Sequence, residues 1–413
     1  MQEQSTLILH KQTLPFLNIS SYLNDIKPIQ SVTIENTSEI DIVQLEIKIT
    51  ADLKCIEPFL YSVPLVPANK EVKIPLENLK VNRDFLNKLS ETEKANITIE
   101  VIEKEVVLIS ETISINVHPL EHFGGFQMLP ELIAAYITPN HPYIYHIKRT
   151  AIEILEKQGL KAAFEGYQSN DPERVLQIIS AFYSAIQNEE IVYSSLPPGY
   201  EETGQRLRLL NTIQLEKFGN CIDISLLFAA CLEAVDLNPI LIIVRGHAFV
   251  GCWLQDDKFS ETINDDKTAI TKRLSKGIRE IAAVEATSVC KANNIKFSDA
   301  LNTGEAQLVQ KEDFLLSVDI KRARTLRIRP LPLLTNATGT QLDEEAIKQT
   351  ETATMENRFE LGTIYQDELL QGKQPKTKQK IWERKLLDLS LRNNLLNLHV
   401  TRNMLQLVDI DIS

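Results

Sequence analysis

Several things are missing from this chain of 413 residues, and each absence closes off a class of function. The five cysteines, Cys55, Cys221, Cys231, Cys252 and Cys290, are scattered, odd in number and form no CxxC pair. That spacing argues against a disulfide framework or a zinc site, and it suits a reducing cytosol. Neither PNHPY (139–143) nor GYQSND (166–171) supplies a second histidine at metal spacing, so no metal and no cofactor is expected. His141, within PNHPY, reads as part of a rigid turn rather than as a ligand. There is no GxxxxGK[ST] loop to cradle a nucleotide phosphate. The opening MQEQSTLILHKQTLPF lacks a charged segment followed by an apolar core, so it does not read as a secretion signal. The longest apolar runs, SLLFAACLEAV and PILIIV, fall well short of the roughly 20 residues a membrane span needs. A broad basic field is also absent. Lys and Arg number 44 against 56 Asp and Glu, a formal net charge of -12, which is a poor match for a phosphate backbone. These absences together describe a soluble, cytoplasmic protein with no membrane partner.

What is present is an ordinary globular composition, 43% hydrophobic and 24% charged, which excludes a disordered chain. Residues 1–118 read as all-β. LEIKIT alternates cleanly, with Leu45, Ile47 and Ile49 on one face and Glu46, Lys48 and Thr50 on the other. SVTIEN, ANITIEVI and VVLISETISINVHP behave similarly, and turn-forming NTSEI and VPANKE separate such runs. This is the pattern of a small Ig-like antiparallel sandwich. It contains no cluster of titratable groups, so a packing or adaptor role is expected of it.

HFGGFQ then punctuates the chain, and residues 119–335 change character. LPELIAAYI, IYHIKRTAIEILEKQG and PERVLQIISAFYSAIQ have helical spacing. CIDISLLFAACLEAV is apolar nearly all round and reads as a buried helix. PILIIVRG and HAFVGCWL read as neighbouring strands, 266–282 as an amphipathic helix, and IAAVEATSV as another strand. The overall class is α+β. Residues 336–378 are polar and read as a linker. Residues 379–413, with IWERKLLDLSLRNNLLNL, return to a helical pattern. An apolar helical element so close to the last residue implies a longer protein.

One pair of residues has the spacing of chemistry. Cys221 follows Gly219-Asn220 and opens the buried helix, where free N–H groups and the helix dipole favour a thiolate and an oxyanion. His247 opens a strand after Gly246. Alternation groups His247 with Phe249, Gly251 and Trp253. A sheet packed on the cysteine helix would bring this imidazole to the thiol as its base. The imidazole needs an acceptor, and Glu285, within VEAT on the next expected strand, is the first choice. Asp256, Asp257, Asp265 and Asp266 are turn residues and weaker alternatives. Gln205, upstream of the cysteine, is the candidate amide donor to an oxyanion. The plainer readings are a packing cysteine, a hydrogen-bonded core histidine and a structural ion pair. Asp223, on the first turn, reads as a capping residue. Lys321, Arg322, Arg324, Arg327 and Arg329 form the densest basic group, and salt bridges or a solvated strand face explain them before nucleic acid does.

GNCIDISLLFAACLEAVDLNPILIIVRGHAFVGCWL resembles the transglutaminase-like, papain-like cysteine core. The Gly-x-Cys helix start and the Gly-His-Ala-Phe strand carry the resemblance, and VEAT stands where that superfamily has an aspartate strand. Glutamate here replaces that aspartate, after a long insertion. The resemblance implies a thiol-dependent amide hydrolase or protease acting on a protein or peptide substrate, with catalytic Cys221, His247, Glu285 and Gln205. Other blocks, PELIAAYITPNHPYI, FEGYQSNDPERV, GQRLRL, KRARTLRIRPLP and KIWERKLLDLSLRNNLLNL, are similar to the N-terminal region of large bacterial superfamily 1 helicase-like proteins. They end in the domain of unknown function that precedes the motor. This second resemblance implies a role in bacterial defence or nucleic-acid metabolism, with any nucleic acid bound through a motor absent from this chain. A catalytically silent binding or sensor module on the same scaffold is the alternative it leaves open.

Overall fold

A computed structural model describes residues 6–195, 204–275, 277–293, 295–310 and 313–332. The segments read as a polar linker, 336–378, and as a helical end, 379–413, lie outside the described residues. The fold is a mixed one of helices and mostly antiparallel sheets.

The first part is β-rich. Its strands are β1 (Leu7–Thr13), β2 (Phe16–Leu17), β3 (Ile29–Asn36), β4 (Ile42–Ala51), β5 (Phe59–Val66), β6 (Lys70–Lys73), β7 (Glu93–Glu103) and β8 (Val106–Val117). Two short helices, α1 (Ile19–Leu23) and α2 (Arg83–Lys88), join them. One sheet has the order β1-β3-β6, the other β2-β8-β7-β4-β5. The alternation in β4 does what its sequence demands: Leu45, Ile47 and Ile49 are at most 1% exposed, while Glu46, Lys48 and Thr50 stay half-buried on the other face. The inward residues of both sheets, among them Leu9, Val32, Ile47 and Ile99, contribute to one core.

The second part begins with β9 (His122–Phe123) and a 3-10 turn, Pro130–Tyr136, where the sequence reads as a helix. Pro130 at its start and left-handed Leu129 (φ 54) before it fit the tighter turn. Helices α3 (Pro142–Lys157) and α4 (Pro172–Gln187) follow, capped by His141 and Asp171 and each opening on a proline. His141 is a helix cap: its Nδ1 accepts from Tyr143 N at 3.1 Å, and its Nε2 pairs with Asn211 at 2.6 Å. Then come β10 (Val192–Tyr193), β11 (Gln205–Arg206), α5 (Leu210–Glu216), β12 (Phe218–Gly219) and α6 (Cys221–Glu233).

The chain next builds β13 (Pro239–Val244), β14 (His247–Trp253), β15 (Ile263–Asn264), α7 (Lys267–Leu274), β16 (Ile281–Val284), α8 (Phe297–Gln310), β17 (Phe314–Asp319) and α9 (Ile320–Thr325). Helix α7 is shorter than the span the sequence suggests, because it stops at Ser275 and the chain turns back into β16. The sheet order is β15-β17-β13-β14-β16, with every pairing antiparallel. PILIIV has no polar residue because both its faces are covered. Leu241 and Ile243 join the core that contains α6, and Ile240, Ile242 and Val244 join a second core with Ile270 of α7 and Leu308 of α8. The first core runs without interruption into the β-rich part. Among the described residues, no helix is long and apolar enough to cross a membrane.

Candidate active site

Helix α6 starts where it does because its first turn is doubly capped. Asn220 Oδ1 accepts from Asp223 N at 3.1 Å, and Asp223 Oδ2 accepts from Asn220 N at 3.0 Å. Asp223 is fully buried and holds upstream chain as well. Its Oδ1 accepts from Arg208 N at 2.9 Å, and its Oδ2 accepts from the Arg208 guanidinium at 3.1 Å. Burial raises the Asp223 carboxyl above its usual range, against the pull of the Asn220 and Arg208 bonds. Cys221 is thus the first residue of a rigidly anchored helix, 6% exposed. Its carbonyl accepts from Ser225 Oγ at 2.7 Å, and that hydroxyl also lies 3.2 Å from Ala248 O, which ties α6 to β14.

His247 begins β14 after a two-residue turn, since Val244 pairs with His247 across β13 and β14. Gly246 lies at φ 71, where a side chain would strain the backbone even though space is open around it. The pairing of β14 with β16 ends at Val250 opposite Val284. The first residues of β14 therefore have no strand on that side, and the imidazole is free to meet groups from outside the sheet. His247 Nε2 is 2.8 Å from Glu285 Oε2, which leaves Nδ1 as the ring atom available to the neighbouring Cys221 thiol. Burial alone would lower the imidazole's pKa. The hydrogen bonds and negative charges of Cys221 and Glu285 overcome it and hold the value up at about 9.

Glu285 is not on a strand, contrary to the sequence reading. Strand β16 stops at Val284, and Glu285 caps the 3-10 turn Ala286–Val289. The reason is local: Thr287 donates both its N–H (3.1 Å) and its hydroxyl (2.7 Å) to Oε1, and this folds the chain back. The Gln307 amide donates to Oε2 at 2.5 Å. Burial pushes the Glu285 carboxyl up, but the bonds from His247 and Thr287 win, and its pKa is lowered. Gln307 reaches it because α8 lies hard against the sheet. A Cβ on Gly304 would sit 2.6 Å from Ala283 O, so only glycine allows this approach one turn before Gln307.

Gln205 lies on β11, paired with β9 through Phe123. It is 8% exposed, and neither amide atom has a hydrogen-bond partner among the described residues. Its segment is fastened to the start of α6 three residues later, by Arg208. Asp256 and Asp257 lie past the far end of β14, where Asp256 binds Asn238 and Lys321. Asp266 caps α7, and Asp265 is exposed beside it. None of the four meets His247. The basic group falls on α9 and the residues after it rather than on a strand. Arg324 pairs with Glu233 at 2.8 Å, Lys321 with Asp256, and Arg329 with Asp25 at 3.0 Å.

A cavity of about 400 Å³ opens beside His247 and Glu285. His247, Glu285, Gln307, Arg245 and Asp313 line it, and Cys221 does not. Among the described residues, no group of three or more His, Cys, Asp or Glu could hold a metal.

No protein-family model matches the chain, and no curated protein matches it. Among solved structures, a "putative protease" from Parabacteroides distasonis is similar over 53% of this chain and 40% of that one, at 10% identity and a TM-score of 0.20. The chain thus spans less than half the length of that structure.

Proposed function

We propose that this chain is a thiol-dependent amide hydrolase with Cys221 as nucleophile, His247 as base and acid, and Glu285 as the group that orients His247. The observation that carries the reading is the single contact line from the first residue of a capped, buried helix through an imidazole to a buried carboxylate. In the first step the thiol proton passes to His247 and sulfur bonds to the substrate carbonyl carbon. The carbon–nitrogen bond then breaks, and His247 returns the proton to the leaving amine. Water adds to the thioester, its proton going through His247 back to sulfur. The Cys221 backbone N–H and the unpaired Gln205 amide are the oxyanion donors in this scheme.

The scaffold we read here is the transglutaminase-like one, and the β-rich part is an Ig-like sandwich. The strand orders β1-β3-β6 and β2-β8-β7-β4-β5, with β2 parallel to β8, support the second assignment. Service to a helicase-like protein rests on the sequence resemblance alone. A catalytically silent sensor on the same scaffold is the second reading, and the slight exposure of Cys221 favours it. Labelling with iodoacetamide at pH 6 and cleavage of fluorescent casein separate the two. The active reading expects both in the native chain and neither in Cys221→Ala. Casein cleavage that persists in Cys221→Ala would refute it.

A further inference from the structure

Besides His247, one more side chain lies beside the Cys221 thiol, and nothing in the sequence points to it. Tyr193 sits on β10, which lies parallel to β12 with Tyr193 opposite Gly219, two residues before the thiol. Main-chain bonds hold this short strand in place, from Val192 N to Lys217 O and from Ser194 N to Gly219 O, both 2.8 Å. On its other flank, Lys291 N donates to Ile191 O at 2.9 Å and the Lys291 ammonium binds Glu190 at 3.0 Å. The Tyr193 segment is therefore wedged between the start of α6 and the turn that Glu285 caps. Gly219 contributes no side chain at the paired position. This pairing sets Tyr193 beside Cys221, close enough for the thiol to act on its hydroxyl, while the residue stays 40% exposed.

We infer that Tyr193 is a further residue of the thiol site: its hydroxyl donates to the Cys221 sulfur and, with His247, forms a two-donor cradle that favours the thiolate. This rests on the reading of Cys221 as nucleophile. A thiolate accepts charge-assisted bonds that a neutral thiol does not, so each donor aimed at sulfur favours the charged form. Burial, then the charge and hydrogen bond of Cys221, push the Tyr193 phenol up to about 12, so it remains a donor across the working pH range. The other titratable groups around the sulfur are His247, Glu285 and Cys290, with Asp223 engaged in its own cap by Asn220 and Arg208. Among these, only His247 and Tyr193 can donate a strong hydrogen bond to sulfur.

Tyr193→Phe keeps the ring and removes only the hydroxyl, at a partly exposed site where folding tolerates the change. The measurement is the rate of iodoacetamide labelling of Cys221 in the full chain from pH 5 to pH 10, for the native protein, Tyr193→Phe and His247→Ala. Loss of one charge-assisted donor predicts a midpoint about one pH unit higher in Tyr193→Phe, with labelling at pH 6 slowed about tenfold. A Tyr193→Phe profile that coincides with the native one overturns the inference, as does faster labelling at pH 6, which would make Tyr193 a cap instead. If His247→Ala still shifts the profile in that case, the hydrolase reading stands and only the role of Tyr193 fails. If neither variant shifts it, both fail.

Discussion

Helix α6 carries two cysteines ten positions apart, and their surroundings differ more than their burial does. Cys221 is 6% exposed and Cys231 0%, so accessibility hardly separates them. Cys231 sits in the last turn of the helix, where its burial, with Glu189 nearby, pushes the thiol well above its ordinary range. Every backbone N–H around it is spent inside the helix. Cys221 sits where the helix has N–H groups to spare, with the side chains of His247 and Tyr193 beside it. The same residue type on the same element is inert at one place and equipped at the other. The difference is made by the end of the helix and by what β10, β14 and the Glu285 turn deliver there.

Substitutions test the contrast most severely at the two cysteines. Cys221→Ala should abolish iodoacetamide labelling near neutral pH, whereas Cys231→Ala should leave labelling intact and cost about 1 kcal/mol in urea unfolding. Strong labelling of Cys231 in the folded chain would break the comparison. Next in size is His247→Ala, for which the rate of casein cleavage should fall by about a thousandfold. Glu285→Gln preserves shape but removes the charge facing the imidazole. Its cleavage rate should drop about a hundredfold, and the pH profile should narrow on its alkaline side as His247 loses its proton earlier.

A stability prediction follows from the same groups. The His247 pKa is raised on folding, so its contribution is complete below about pH 6.5 and lost as pH climbs through about 9. Glu285 is lowered, so its contribution is present above its ordinary value of 4.5 and lost as pH falls through its folded value. The stability gap between native protein and His247→Ala should therefore be a few kcal/mol between these limits and shrink on either side. Urea unfolding from pH 3 to pH 10 measures it, and a gap that widens toward pH 10 would contradict the assignment. The smallest effect is expected from Gln307→Ala, which removes one of four donors to Glu285 and should cost about 1 kcal/mol.

Much of this was legible in the sequence where a period or a cap sets the structure. LEIKIT announces β4, PILIIV announces a strand covered on both faces, and Asn-Cys-Ile-Asp announces a capped helix start. Glu285 could be singled out, but its turn could not, because the strand-like run through VEAT is broken only by the hydrogen bonds of Thr287 to the carboxylate. Gln307 left one faint signal, a glycine in mid-helix one turn earlier. Tyr193 left none, since its position depends on pairing between two-residue strands far apart in the chain. The basic cluster could be read as salt-bridging, but not its partners Glu233, Asp256 and Asp25, which are distant in sequence, nor its place on α9 instead of a strand.

The central claim is that Cys221, His247 and Glu285 act as one unit, and the imidazole itself reports on it most directly. Nuclear magnetic resonance of His247, labelled with carbon-13 at Cε1, follows its titration in the native chain and in Cys221→Ala. The account predicts a native midpoint near pH 9 that falls when the thiol is removed. A native midpoint at or below 6.5, unchanged by Cys221→Ala, would contradict it.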